Sequence, residues 1–306
     1  MPSNLPPPRS TRSRRPSLLI VGCGDVGLRV LRELRRRWRV LALTTSAERS
    51  ADLRAAGAVP LVGNLDDAAS LGRLAGLADA VLHLAPPPKE GDSDPRTRAL
   101  LCALARSARV RRIVYASTTG VYGDCGGAWI DETRALRPAT DRARRRVDAE
   151  TRARFFARTH RARVTILRVP GIYAFDREGG DPRERVRRGA PALVPEDDVY
   201  TNHVHADDLA RACIAALHRG PSPRAIHVSD DGALRAGEHA DRVAALAGLP
   251  PVPRITRERA RRELSPMQLS FLGESRRLVN RRLKRELRLR LRYPTIEEAF
   301  KRLASA

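Results

Sequence analysis

The sequence predicts an α/β protein, built as a doubly wound parallel sheet with a smaller C-terminal lobe. Three observations carry that expectation. From residue 17 to about 174, short apolar runs of strand character alternate with longer segments of helical period. A glycine-rich turn joins the first run to the first helical segment. Beyond residue 175 the apolar pieces become short and irregular. Such alternation implies parallel strands joined by right-handed crossovers.

Ser17 to Gly22 is the first strand, an unbroken apolar run suited to burial on both faces. Asp25 to Trp38 follows as a helix. Val26, Val30, Leu34 and Trp38 stack there at four-residue spacing, and the arginines between them are expected to face water. Further strands are expected at Arg39–Leu43, Val59–Val62, Ala80–Ala85, Arg112–Ser117 and Val164–Arg168. Helices fit between them near 47–56, 66–76, 95–108 and 139–160. A helix near 206–218, a strand at Ala225–Ser229 and a helix near 236–247 precede a basic C-terminal region. The chain thus divides into a basic tail at 1–16, expected to be disordered, and a sheet domain at 17–174. Segments from about 200–230 complete that sheet, and the lobe takes 175–306.

Composition excludes several classes. No run of about 18 apolar residues exists, so no transmembrane helix is expected. Met1 to Ser17 is polar, proline-rich and basic, without the apolar stretch of a signal peptide. Cys23, Cys102, Cys125 and Cys213 are scattered, with no CxxC and no Cys/His cluster. That pattern fits reduced thiols in a cytoplasmic protein and speaks against a disulfide framework or a metal site. The 58 basic against 35 acidic residues, a net +23, invite a nucleic-acid reading. Yet only Lys89, Lys284 and Lys301 are lysines. Arginine beside abundant Ala, Gly and Pro is the mark of GC-rich coding sequence, so solvated arginine faces are expected and nucleic acid is not the principal partner. Two places exceed a uniform bias. Arg9, Arg12, Arg14 and Arg15 have no acid beside them, and residues 254–292 hold 14 basic residues against four glutamates, a net +10.

Val21-Gly22-Cys23-Gly24-Asp25-Val26-Gly27 matches GxGxxG between a predicted strand and a predicted helix. Gly22 allows the tight turn, Gly24 lets backbone approach a pyrophosphate, and Gly27 lets the helix pack on the strand. The helix N-terminus beside Asp25 and Val26 then faces the phosphates. A carboxylate ending the second strand would hold the ribose 2′-hydroxyl of NAD. That place carries Thr44-Thr45-Ser46, with no acid before Glu48 and with Arg49 nearby. Hydroxyls and an arginine suit a 2′-phosphate better, so NADP is expected ahead of NAD.

Later segments make the loop more specific. Tyr115-Ala116-Ser117-Thr118-Thr119-Gly120-Val121-Tyr122-Gly123-Asp124 resembles the segment of extended short-chain dehydrogenases that carries their active-site Ser/Thr. Leu167-Arg168-Val169-Pro170-Gly171-Ile172-Tyr173 resembles their sixth strand and following loop. Asn202-His203-Val204-His205-Ala206-Asp207-Asp208-Leu209-Ala210 resembles the "IHVDDLA" that opens the substrate lobe's helix. Over roughly residues 17–300 the chain is similar to the NAD(P)-dependent epimerase/dehydratase family. GxGxxG in place of GxxGxxG, and the run from Ser117 to Asp124, resemble its atypical YeeZ-like subgroup. The resemblance implies a Rossmann-type fold, with Asn64 and Leu65 flanking the adenine and Leu84, Ala85 and Pro86 lining the cofactor. It also implies that Pro170 touches the nicotinamide and that Ser117 or Thr118 hydrogen-bonds the substrate's reacting oxygen.

The family's YxxxK pair is missing. Tyr115, Tyr122, Tyr173, Tyr200 and Tyr293 have Thr119, Gly126, Arg177, Val204 and Glu297 four residues on. In the helix where the pair belongs, Arg142 stands at the Tyr place and Arg146 at the Lys place, one turn apart on a shared face. Arginine stays protonated and is a poor general acid or base, but it holds oxyanions, phosphates or ribose. Arg144 and Arg145 read as a solvated face. Any proton must come from elsewhere, with Tyr122 the first candidate and Tyr173 the second. His203 and His205 read as interior anchors of the lobe rather than bases. The expected function is an oxidoreductase or epimerase on a small polar substrate, sugar-like or anionic. The alternative is a cofactor-binding sensor or scaffold without turnover, and polyanion binding ranks third.

Overall fold

The computed structural model describes residues 15–34 and 37–305, so Arg9, Arg12, Arg14, Arg35 and Arg36 lie outside the described residues. Strand β1 (Ser17–Val21) is followed by α1 (Asp25–Glu33), β2 (Arg39–Thr44), α2 (Ser50–Ala55), β3 (Val59–Val62), a 3-10 helix (Ala68–Leu74) and β4 (Ala80–His83). The chain continues through α3 (Pro95–Ala105), β5 (Arg112–Thr118), β6 (Trp129–Ile130), α4 (Asp141–Thr159), β7 (Arg163–Val169) and β8 (Gly171–Tyr173). Then come α5 (Pro182–Arg187), β9 (Ala192–Leu193), β10 (His203–His205), α6 (Ala206–Arg219), β11 (Arg224–His227) and α7 (Ala236–Leu246). Seven strands form one parallel sheet in the order β11-β7-β5-β4-β1-β2-β3. Strand β11 extends its edge from within the C-terminal third.

Burial of every β1 residue explains that strand's unbroken apolar run. Leu18 and Ile20 pack with Val30 of α1 and Leu209 and Cys213 of α6 on one face of the sheet. Leu19 and Val21 pack with Leu100 and Leu104 of α3 and Ala149, Ala153 and Phe156 of α4 on the other. A separate cluster around Tyr173, Val243, Ala244 and Ile296 makes the lobe's own core. Short parallel pairs, β8 with β10 and β6 with Arg277–Leu278, lace lobe and sheet together.

Two expectations about arginine fail. Arg29, on α1, is buried, because Asp25 one turn earlier and two carboxylates from distant segments, Asp176 and Asp207, surround it. Arg145 is buried too and donates to the Gly91 carbonyl. Helix α1 also stops at Glu33 rather than Trp38. The chain must turn back so that Arg39 N can bond Pro16 O at 2.9 Å and open β2. The basic stretch 254–292 is in large part paired in place: Arg254 with Asp198 and Asp241, Arg257 with Asp197, Arg276 with Glu274, Arg282 with Glu132 and Lys284 with Asp231. Among the described residues no helix is long and apolar enough to cross a membrane.

Candidate functional site: a cleft at the carboxyl edge of the sheet

The strand order reverses between β1 and β4, and a cleft of about 860 Å³ opens beside their carboxyl ends. Open α/β sheets bind ligands at such a switch point. Gly22 sits at φ +84°, and a Cβ there would lie 2.5 Å from Ala85 N. Only glycine therefore lets the turn rest against the end of β4, where Leu84 N and Ala85 N both donate to Val21 O at 2.8 and 3.0 Å. Gly24 precedes α1 with nothing within 4 Å of its Cβ position, and that open space belongs to the cleft. Gly27 does not line the cleft. A Cβ there would meet Cys23 Sγ at 3.1 Å, so it serves the packing of α1 on β1.

Asp25 and Val26 line the cleft at the N-terminus of α1. The Asp25 carboxylate would oppose an anion there, but Arg29 Nε holds it at 3.0 Å and Arg177 pairs with it from the loop after β8. Arg29 also grips Asp176 and Asp207, each at 2.6 Å, fastening α1 to that loop and to α6. Beyond β2, Thr44, Thr45 and Arg49 line the wall, and Arg49 Nη2 donates to Cys23 O at 2.9 Å. Glu48 is turned to Ser46 Oγ at 3.0 Å and does not line the cleft. After β3 come Asn64, Leu65 and Asp66. Arg96 clasps Asp66 through bonds of 2.7 and 2.6 Å, which holds the carboxyl below its usual range.

Leu84, Ala85 and Pro86 after β4, Ser117 and Thr118 ending β5, Arg146 of α4 and Pro170 after β7 line the same cleft. Ser117 donates its proton to Glu150 Oε1 at 2.7 Å, and Arg168 grips the buried Glu150 through bonds of 3.1 and 2.8 Å. Thr118 Oγ1 accepts from Gly120 N at 3.3 Å, which leaves its own proton free for a ligand. Arg146 Nη1 donates to Tyr115 Oη at 3.0 Å and Ala116 O at 2.8 Å.

The other candidates lie elsewhere. Tyr122 is buried off the cleft. Its hydroxyl accepts from Arg168 Nη1 at 2.6 Å and bonds His227 Nε2 at 2.6 Å, and burial pushes the phenol up to about 12. Tyr173 is buried in the lobe core, where desolvation raises its hydroxyl further still. Arg142 sits over the Phe271 ring at 4.8 Å, away from the cleft, and Arg144 is exposed beside Asp141. His203 stacks on His239 at 4.0 Å and His205 on Tyr293 at 3.7 Å, both within the lobe's packing. Among the described residues no tyrosine, histidine or lysine lines the cleft.

A family model described as NAD(P)H-binding matches residues 22–220. The chain belongs to the NAD(P)H-binding family. No curated protein matches it. Among solved structures, a conserved protein of unknown function from Silicibacter pomeroyi shares 29% identity over 95% of this chain and 98% of its own, with a TM-score of 0.79. UDP-glucose 4-epimerase from Thermotoga maritima is 19% identical, with a TM-score of 0.74 over 93% and 96% of the two chains. The dTDP-glucose 4,6-dehydratase of Streptomyces venezuelae, determined with NAD and TYD bound, is 22% identical, with a TM-score of 0.74 over 94% and 95%. At those identities the epimerase and the dehydratase share the fold. In this NAD(P)H-binding protein Gly24 is the glycine of the β1–α1 turn whose Cβ position meets open space, so the turn leaves room beside the N-terminus of α1.

Several residues in and behind this NAD(P)H-binding cleft escape a reading of the sequence. Glu150 follows Arg146 by one helical turn, which places the two on one face of α4. Arg29, Arg96 and Arg177 carry no such signal, since their carboxylate partners include residues 30 to 178 positions away.

Proposed function

We propose that the protein is an NAD(P)-dependent oxidoreductase or epimerase on a small polar substrate, an atypical short-chain dehydrogenase of the YeeZ-like kind that works without YxxxK. The observation behind this is the meeting of Ser117, Thr118 and Arg146 with the glycine loop in one cleft. Gly22, Gly24, Asp25 and Val26 would receive the pyrophosphate. Asn64 and Leu65 would flank the adenine, and Leu84, Ala85, Pro86 and Pro170 would line the rest of the cofactor. Arg49, free of any carboxylate within ion-pair distance among the described residues, supports a 2′-phosphate beside Thr44 and Thr45, hence NADP over NAD. When bound, the nicotinamide supplies the hydride donor or acceptor. Thr118 would donate its free proton to the reacting oxygen. Ser117, its proton spent on Glu150, would offer only a lone pair to a substrate hydroxyl. Four free thiols agree with a cytoplasmic setting.

The absence of Tyr, His and Lys from the described cleft lining favours a second reading, a cofactor sensor without turnover. Calorimetric titration of NADP⁺ and NAD⁺ in one buffer, followed by reduced-cofactor oxidation with carbonyl compounds and chromatographic detection of epimers formed from sugar nucleotides, decides between them. The expected result is NADP⁺ tighter by about tenfold, near 1.4 kcal/mol, with cofactor oxidation or epimer formation for at least one panel member. Tighter NAD⁺ would remove the 2′-phosphate assignment. Binding with no turnover across the panel would leave the sensor.

A further inference from the structure

Four arginines and two aspartates line the cleft. Asp66 takes Arg96 and Asp25 takes Arg177, which leaves Arg49 and Arg146 in no ion pair among the described residues. These two stand apart, Arg49 just beyond β2 and Arg146 beside the end of β5, with β1 and β4 between those strands. A cofactor 2′-phosphate would occupy Arg49. Arg146 remains without a counter-ion.

Its setting is that of an anchor. Nη1 is fixed on Tyr115 Oη and Ala116 O, while Nε and Nη2 have no hydrogen-bond partner among the described residues. The half-buried guanidinium is carried on a 19-residue helix and set against the central sheet, so its position is rigid. A partly desolvated cation left unpaired is costly unless a ligand brings the opposite charge. Neither lining carboxylate belongs to this end, since Asp25 follows β1 and Asp66 follows β3. A planar guanidinium with two free donor positions matches an oxyanion better than a neutral sugar hydroxyl.

We propose that Arg146 anchors a permanent negative charge on the substrate. The substrate class is a small hydroxy or oxo compound bearing a carboxylate or phosphate beside the oxygen that Thr118 addresses. The inference rests on the proposed function for the identity of the reacting oxygen, but the anion site itself is measurable without turnover.

Malonate and inorganic phosphate titrated calorimetrically into the full chain saturated with NADP⁺ test the site. At least one of them should bind. Arg146→Gln should weaken that binding by about 10-fold or more, the scale of losing a charge-assisted hydrogen bond, while NADP⁺ affinity holds and circular dichroism is unchanged. Arg146→Lys, which keeps the charge and loses the fork, should recover part of the binding. Absence of anion binding to the parent protein, or binding indifferent to Arg146→Gln, overturns the proposal. So does a parallel collapse of NADP⁺ affinity, which would make Arg146 a cofactor ligand. If neither dinucleotide binds, the proposed function fails instead, and the same anion titration on the cofactor-free chain still decides Arg146.

Discussion

At Tyr122 the phenol oxygen is already fully employed. His227 Nδ1 lies 3.1 Å from the Val279 carbonyl, which can only accept, so the imidazole carries its proton on Nδ1 and its lone pair on Nε2. Tyr122 must therefore donate to Nε2 and accept from Arg168, leaving no proton for a substrate. The sequence marks Tyr122 as a proton donor because it follows the Ser-Thr-Thr-Gly run closely. The 3-10 turn Thr119–Tyr122 instead turns the ring inward, against Arg168 of β7 and His227 of β11. Tyr122→Phe should leave dinucleotide affinity unchanged and cost about 1–3 kcal/mol of stability, because Arg168 and His227 each lose a buried partner. Denaturant unfolding and calorimetry check both halves. A fall in kcat of about 10²-fold with stability intact would return Tyr122 to the chemistry.

Among the elements, the β1–α1 unit joins local and distant logic. Its glycines are readable as a motif, although Gly22 answers the backbone at Ala85 and only Gly27 answers a near neighbour, Cys23. The clamp on Asp25 is not, because Arg177 arrives from the loop after β8 and Arg29 is drawn inward by Asp176 and Asp207. Gly24 has an ordinary φ of −85° and open space at its Cβ, so Gly24→Val should fold normally. Its branched side chain would fill the place of the pyrophosphate and abolish dinucleotide binding. Circular dichroism with calorimetry reads the two effects separately. Undiminished affinity in that variant would show that phosphates do not approach there.

For the molecule as a whole, buried histidines set the response to acid. Burial holds His83 and His227 down to about 3 and His239 to about 4, and His203 is lowered as well. Unfolded, each titrates near about 6.5. Below that pH the unfolded chain binds protons that the folded chain refuses, so stability falls as pH drops from about 6.5 towards about 4. Asp230 works in the opposite sense, because burial raises its carboxyl and the folded state keeps a proton that unfolding releases. His205 and His218 are lowered too, while Glu132 and Asp198 are raised like Asp230, so the histidines outnumber the opposing carboxylates and unfolding near about pH 5.5 takes up protons on balance. Unfolding enthalpies measured in buffers of different ionisation heat count those protons, and net release would contradict the assignment.

Local order determined the succession of strands and helices, the GxGxxG turn and the edge at which Ser117, Thr118 and Arg146 meet. Each of these follows from periodicity, from glycine sterics and from the rule that parallel strands end on one side. What the tertiary structure alone decided is which charges cancel. Arg29, Arg96, Arg168 and Arg177 are neutralised by carboxylates brought from remote segments, while Arg49 and Arg146 are left in the cleft. In the sequence those arginines look alike among 55, since the type of a residue records its charge but not its neighbours. A charge acts over a few ångströms of space, and only the folded chain says which groups lie within that distance.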